Sequence, residues 1–390
     1  MPLNKPSLDL LFFSLCLMSV LTGMEMDVFT PSFPELMEVF SISIEKVQLT
    51  LSLNFLAYAL STIIIGPLAE HFSTRKISLV FLFIFVVGSI FCYFAPTFET
   101  LLLGRVLQGV GMSGPNVLCY VIVFECYAEK RESHIGILNG VGGITMGAAP
   151  VLGSYLDLWF SWRANFLALL LLSLICFALC LKYLPKQKTA PSKMKLGINT
   201  YLPLFKSTQF LTPAFMILSI SVCYFVFVGL APIFYREDLG VSLQHYGLYQ
   251  GALASSFGII SFCSGFLYNK FGKERCYKVS LKLYFIFGII AGLYGLLPST
   301  NPVILTILLV CWSMACAIPV SITYPMALGA VDGTAARASG LLVAMRLLFC
   351  AGGVQLMAHF YTHTYGPLAL MIGIEALIAW YIGRKIAVKN

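Results

Sequence analysis

Hydrophobic residues fill this chain in long blocks, and polar residues gather in short gaps between them. A block of about 18 residues or more is long enough to cross a bilayer as a helix. Twelve such blocks occur, at about 8–30, 45–67, 77–95, 100–123, 134–156, 164–184, 209–232, 243–268, 277–297, 302–325, 335–360 and 366–384. The pattern predicts an all-α polytopic membrane protein with twelve transmembrane helices. The gaps are too short to house a soluble catalytic domain. The first block carries Glu25 and Asp27, is long for a signal peptide and lacks a small-x-small cleavage pattern. It is therefore read as a retained helix.

The longest polar stretch is 185–208, PKQKTAPSKMKLGINTYLPLFKST, which has Lys and Pro but no acidic residue. It predicts a basic cytoplasmic linker lying along anionic headgroups. It would separate an N-terminal six-helix half, 1–184, from a C-terminal six-helix half, 209–390. The halves repeat weakly. Gly66-Pro-Leu-Ala-Glu-His-Phe-Ser-Thr-Arg-Lys aligns with Gly265-Phe-Leu-Tyr-Asn-Lys-Phe-Gly-Lys-Glu-Arg, each after the second helix of its half.

Composition agrees with the blocks: 59% hydrophobic, 11% charged, mean hydropathy +0.87. The net charge of +8 reports orientation. Twenty of the 25 Lys and Arg fall on one side of the predicted layer, only Lys46, Arg163 and Arg236 fall on the other, and Arg105 and Arg346 lie within spans. By the positive-inside rule both termini are cytoplasmic, and no nucleic-acid partner is implied. Membrane lipids are the expected surroundings. The twelve cysteines are scattered without a CxxC and read as small packing residues. His359 and His363 stand four apart with no carboxylate nearby in sequence, so neither a metal site nor a cofactor is expected. No phosphate-binding G-x-x-x-x-G-K-[ST] loop occurs, so energy must come from an ion gradient. One proton moving down 100 mV releases about 2.3 kcal/mol, enough for roughly a 40-fold substrate gradient.

Ionisable residues inside spans are the candidates for chemistry, because they are costly there unless they face a partner or a watery cavity. Arg105 lies in TLLLGRVLQGVGMSGPN, residues 100–116, followed by Gln108, Gly109, Gly111 and Gly114. Asp27 lies late in the first helix at a depth comparable with Arg105. Glu25, two residues away, points about 200° from Asp27 on a regular helix. Arg346 and Glu375 lie at matching depths in the last two helices and predict an internal ion pair.

Several of these stretches resemble the major facilitator superfamily. Arg-x-x-Gln-Gly-x-Gly at 105–111 is similar to its fourth-helix signature, in which the arginine takes part in proton coupling. Asp-x-Phe-x-Pro at 27–31 resembles the first helix of bicyclomycin- and chloramphenicol-resistance-type exporters, and picks Asp27 over Glu25 as proton carrier. Gly66, Leu68, Ala69 and Arg75 match the superfamily's cytoplasmic gating loop, with Glu70 and Ser73 as departures. Gly143, Gly147, Pro150 and Gly153 in the fifth helix resemble the antiporter motif, a pliable contact between the halves. Trp162-Arg-x-x-Phe166 matches the start of the sixth helix. The resemblance implies a proton-coupled drug antiporter of the bacterial inner membrane, acting as a monomer on small, mostly apolar substrates by alternating access. A dedicated transporter of one metabolite, such as a siderophore or amino acid, is the alternative. A membrane-embedded enzyme would need a His/Asp metal cluster or Ser/His pair in the spans, and none is seen.

Overall fold

The structure is a computed structural model that describes residues 5–127, 131–185, 201–295, 297, 300–330 and 335–386. Among the described residues twelve helices are long and apolar enough to cross a membrane. They are α1 Lys5–Asp27, α2 Ile44–His71, α3 Thr74–Tyr93, α4 Phe98–Cys126, α5 Arg131–Trp159 and α6 Trp162–Tyr183. The second half holds α7 Thr208–Ile233, α8 Leu243–Phe271, α9 Lys273–Tyr294, α10 Pro302–Leu328, α11 Ala335–Phe360 and α12 Gly366–Gly383. Residues 186–200 of the expected linker lie outside the described residues.

The polar gaps act locally as caps. Side chains of Ser73, Thr97, Ser207, Ser242 and Asn301 accept hydrogen bonds from the first-turn amides of α3, α4, α7, α8 and α10. This satisfies amides that have no partner within the helix. Ser73 and Gly272 occupy equivalent places in the two halves and solve the turn differently. Gly272 takes a φ of 81°, which favours glycine, whereas Ser73 sits at −63° and caps α3. The serine that departs from the gating-loop pattern therefore has a local role. Gly66 and Glu70 fall in the last turns of α2, with the Glu70 side chain outside the described set. Arg75 Nη1 reaches the Leu184 carbonyl at 2.6 Å and Nη2 the Leu181 carbonyl. In this state Arg75 ties α3 to the end of α6 within its own half.

The first hydrophobic block forms one helix that breaks just before its expected end. α1 stops at Asp27, a 3₁₀ turn follows at Thr30–Ser32, and a short helix runs Phe33–Phe40. Pro31 and Pro34 lack the amide hydrogens that a continuing helix needs. The break lies where the candidate carboxylates are.

The halves meet along two seams, α2 against α11 and α5 against α8. They are joined at the end where α1 finishes. There Gln48 Nε2 donates to Gly229 O at 2.6 Å, Gln355 Nε2 to Glu45 O at 3.1 Å and Arg236 Nη1 to Pro31 O at 3.0 Å. Every hydrogen bond recorded between the halves among the described residues lies toward this end. The α5–α8 seam shows the same gradient. A side chain on Gly147 would collide with Ser255 and one on Gly247 with Ser154. Farther along, a Cβ on Gly258 would stand 3.7 Å from Gly143 O, and one on Gly140 or Gly265 would meet nothing. The halves are thus closed at one end and part toward the other. An even number of helices puts the start of α1 and the end of α12 at the parted end.

Candidate functional site

Arg105 is wholly buried in the packed interior of the first half. Its Nη1 lies 2.8 Å from Glu25 Oε1 and 2.6 Å from Gln108 Oε1, and its Nε donates to Thr50 O at 3.3 Å. The guanidinium also covers the Phe29 ring, 4.1 Å from its centroid, a favourable cation–π arrangement. Asn54 on α2 bridges the pair: its Nδ2 donates to Glu25 Oε1 at 2.8 Å and to Arg105 O at 2.9 Å. Gln108 Nε2 passes the network on to Ser89 Oγ at 2.9 Å. Gly109 makes the bridge possible, since a Cβ there would collide with the Asn54 carbonyl. Gly111 admits the α3 backbone at Phe85 in the same way. The signature at 105–111 thus builds one charge-paired, hydrogen-bonded node joining α1, α2, α3 and α4.

This corrects the sequence reading, which set Asp27 beside Arg105 and turned Glu25 away. The two carboxylates do face opposite ways, as two residues of helix require, but Glu25 is the one that meets the arginine. Asp27 turns to the seam. It is wholly buried, and neither carboxylate oxygen has a hydrogen-bond partner. Tyr224 on α7 and Tyr246 on α8, both from the second half, lie within electrostatic reach of it. The Tyr224 hydroxyl also has no partner. The Asp27 backbone carbonyl is held by Thr30 Oγ1 at 3.0 Å. One residue on, the Val28 carbonyl occupies the space that a side chain on Gly153 would need. Pro150 and Gly147 lie one and two turns farther along α5, at the crossing with α8. The glycines and proline of α5 therefore set how closely the other half approaches Asp27.

The expected Arg346–Glu375 pair is not formed. Glu375 accepts from the Tyr284 hydroxyl on α9, and no cation is among its partners. Arg346 lies within electrostatic reach of Tyr58 on α2 and Cys350 on its own helix, with its Nε unpartnered. α11 packs on α2 and α7 and touches α12 sparsely. His363 does have a carboxylate neighbour, in space rather than in sequence: its Nδ1 is 3.0 Å from Asp238 Oδ1. Trp162 and Arg163 anchor the start of α6, the first through its amide to Glu35 Oε2 at 3.1 Å, the second through Nη2 to Ala95 O at 2.9 Å.

Twelve helices in two like halves, closed at one end around a buried charge, are the frame of a transporter. The sequence pattern of the Major Facilitator Superfamily matches residues 15–354. The chain belongs to the Major Facilitator Superfamily. It is 29% identical over 297 residues to the uncharacterized MFS-type transporter YdgK of Bacillus subtilis, covering 74% of this chain and 73% of that protein. It is 25% identical over 295 residues to the multidrug resistance protein MdtL of Salmonella paratyphi A, covering 73% and 72%. Among solved structures it resembles a bacterial homolog of the human lysosomal transporter Spinster, inward-facing and occupied, with TM-score 0.77, 17% identity and coverage of 98% and 97%. It also resembles the xylose transporter XylE of E. coli, partially occluded and inward open, with TM-score 0.75, 13% identity and 98% coverage of each chain. These similarities establish a superfamily transporter with multidrug-resistance relatives, and not an enzyme.

Within this superfamily fold, sequence reasoning missed Asn54, Thr50, Tyr224, Tyr246 and Tyr284. Asn54 was the findable one, an amide in the middle of the apolar run LSLNFLAYAL. A buried amide implies a partner. The tyrosines carry no comparable signal among 19 in the chain.

Proposed function

We propose that this transporter is a proton-coupled antiporter that exports small, mostly apolar compounds across the bacterial inner membrane as a monomer, with Asp27 as the proton carrier. The observation that supports it is Asp27 itself. An ionised carboxylate enclosed without a single donor is costly. Asp27 is enclosed only while the halves are closed at the α1-terminal end. In this state it holds a proton. When the α5–α8 and α2–α11 seams open at that end, water on the outer side reaches the group and it takes up a proton there. It carries that proton into the closed state, where substrate entering from the parted side displaces it inward, so outward movement of substrate and inward movement of a proton share one cycle. Arg105 does not touch Asp27. It is held by Glu25 and positions the end of α1 through Phe29 and Asn54.

The test is drug-dependent loss of a pH gradient in everted vesicles. Asp27→Asn at matched expression should abolish drug-dependent proton movement while the protein stays folded. Retention of exchange in this variant would remove Asp27 from the cycle. Substrate-dependent proton flux with one metabolite and no drug would favour the dedicated-transporter reading instead.

A further inference from the structure

A groove of about 730 Å³ opens on the side of the second half, between α7, α11 and α12. Its rim is formed by Phe215, Phe349, Phe360, Leu370, Ile374 and Ile378, all of them at least 45% exposed. Such a rim on a membrane-spanning bundle faces hydrocarbon. The floor differs in kind: Glu375 lies there, only 5% exposed, beside Ser219 and Cys223. Glu375 is near the middle of α12, which runs Gly366–Gly383. It therefore sits near the bilayer midplane, far from headgroups.

This carboxylate is incompletely satisfied. The Tyr284 hydroxyl donates to Oε2, and Oε1 has no partner. Ser219 stands close, but its hydroxyl donates to the Met216 carbonyl at 3.0 Å. No lysine or arginine of the described residues forms an ion pair with it. An acidic group at the bottom of an otherwise apolar groove selects for one chemistry, a cation that arrives from the hydrocarbon side and carries an apolar tail. A charge-assisted N–H···O bond to Oε1 would complete the carboxylate. Anionic lipids are disfavoured by like charge, and zwitterionic headgroups stay at the interface.

We propose that this groove binds lipophilic amines from the bilayer, with the ammonium on Glu375 Oε1 and the tail between α7, α11 and α12. The site lies apart from the Asp27 seam. Binding here needs neither an ion gradient nor transport, so its failure is distinguishable from failure of the antiport reading.

The experiment uses the full chain in phosphatidylcholine nanodiscs and a diazirine-bearing analogue of N,N-dimethyldodecylamine as photoprobe. Cross-links should map to Thr208–Ile233 and Gly366–Gly383. Unlabelled N,N-dimethyldodecylamine should displace the probe about tenfold more effectively than 1-dodecanol, which has the tail without the charge. Glu375→Gln should remove that preference. Leu370→Trp at the rim keeps the carboxylate and should lower labelling at both helices, so it stands in if the glutamine variant does not fold. Equal displacement by amine and alcohol in the native protein would overturn the proposal. So would cross-links confined to helices other than α7, α11 and α12, full labelling of the tryptophan variant, or a folded Glu375→Gln protein that still prefers the amine.

Discussion

Glu25 in the first half and Glu375 in the second are both carboxylates buried within membrane-spanning helices, and they are accommodated in opposite ways. Glu25 has a guanidinium at 2.8 Å and an amide at 2.8 Å, and the guanidinium is itself held by Gln108, Thr50 and Phe29. Glu375 has one phenol from Tyr284 and an apolar groove. The packing around them explains the difference. α4 packs on α1 and, where Gly109 lets backbones touch, on α2, so three helices supply partners to one point. α11 and α12 diverge, so the partner that depth alone would choose for Glu375 lies on the wrong face. A charge within a span is thus matched by whichever helices pack face to face around it.

The largest effect should come from breaking the fully paired carboxylate. Arg105→Gln strands Glu25 in the core and should destabilise the protein by about 3–5 kcal/mol, read as lost folded protein and a lowered melting temperature in detergent. The double variant Arg105→Gln with Glu25→Gln should recover most of that loss. A double variant no better than the single would mean that the guanidinium acts through Phe29 and Gln108 rather than through Glu25.

This node also shows what sequence can and cannot deliver. Block length fixed the number of helices, because spanning a bilayer imposes a length that composition reveals. Spacing at 105–111, and at Gly147 and Gly153 of the α5 stretch, located close helix contacts that a side chain would block, whereas a side chain on Gly143 would meet nothing. Depth followed from rise per residue. Direction around the helix axis did not. Glu25 and Asp27 do lie on opposite faces, but which face meets Arg105 depends on how α1 packs on α4 and its other neighbours. That packing follows the break at Asp27, which the Pro31 and Pro34 positions hint at and the tertiary contacts decide. Arg346 and Glu375 failed for the same reason: equal depth, unrelated faces.

A middle-sized effect is expected from the sparsely paired carboxylate. Tyr284 stacks on Trp312 with centroids 5.2 Å apart, and phenylalanine keeps that stack. Tyr284→Phe therefore removes one hydroxyl and little else. It should cost about 1–3 kcal/mol, since it removes the hydroxyl that donates to the buried Glu375 carboxylate. A thermal shift on the scale of Arg105→Gln would contradict the contrast drawn between the two carboxylates.

The smallest effect is expected at Arg346. Its guanidinium is half-buried, its Nε has no partner, and it forms no ion pair with Glu375. Arg346→Gln therefore strands no carboxylate and should change stability by no more than about 0.5 kcal/mol, the range of substitutions that break no buried pair. The informative quantity is its coupling to Glu375. With no shared partner, the stability changes of Arg346→Gln and Glu375→Gln should add to within about 0.5 kcal/mol in the double variant. A coupling energy well above that would mean the two charges meet in another state of the transport cycle, when α11 moves against α2. Measuring the cycle once with the protein unliganded and once with a transported compound present separates the cases. Additivity in both keeps Glu375 as a carboxylate without a cation of its own. Coupling that emerges only with that compound would make α11 the moving element that brings Arg346 to it.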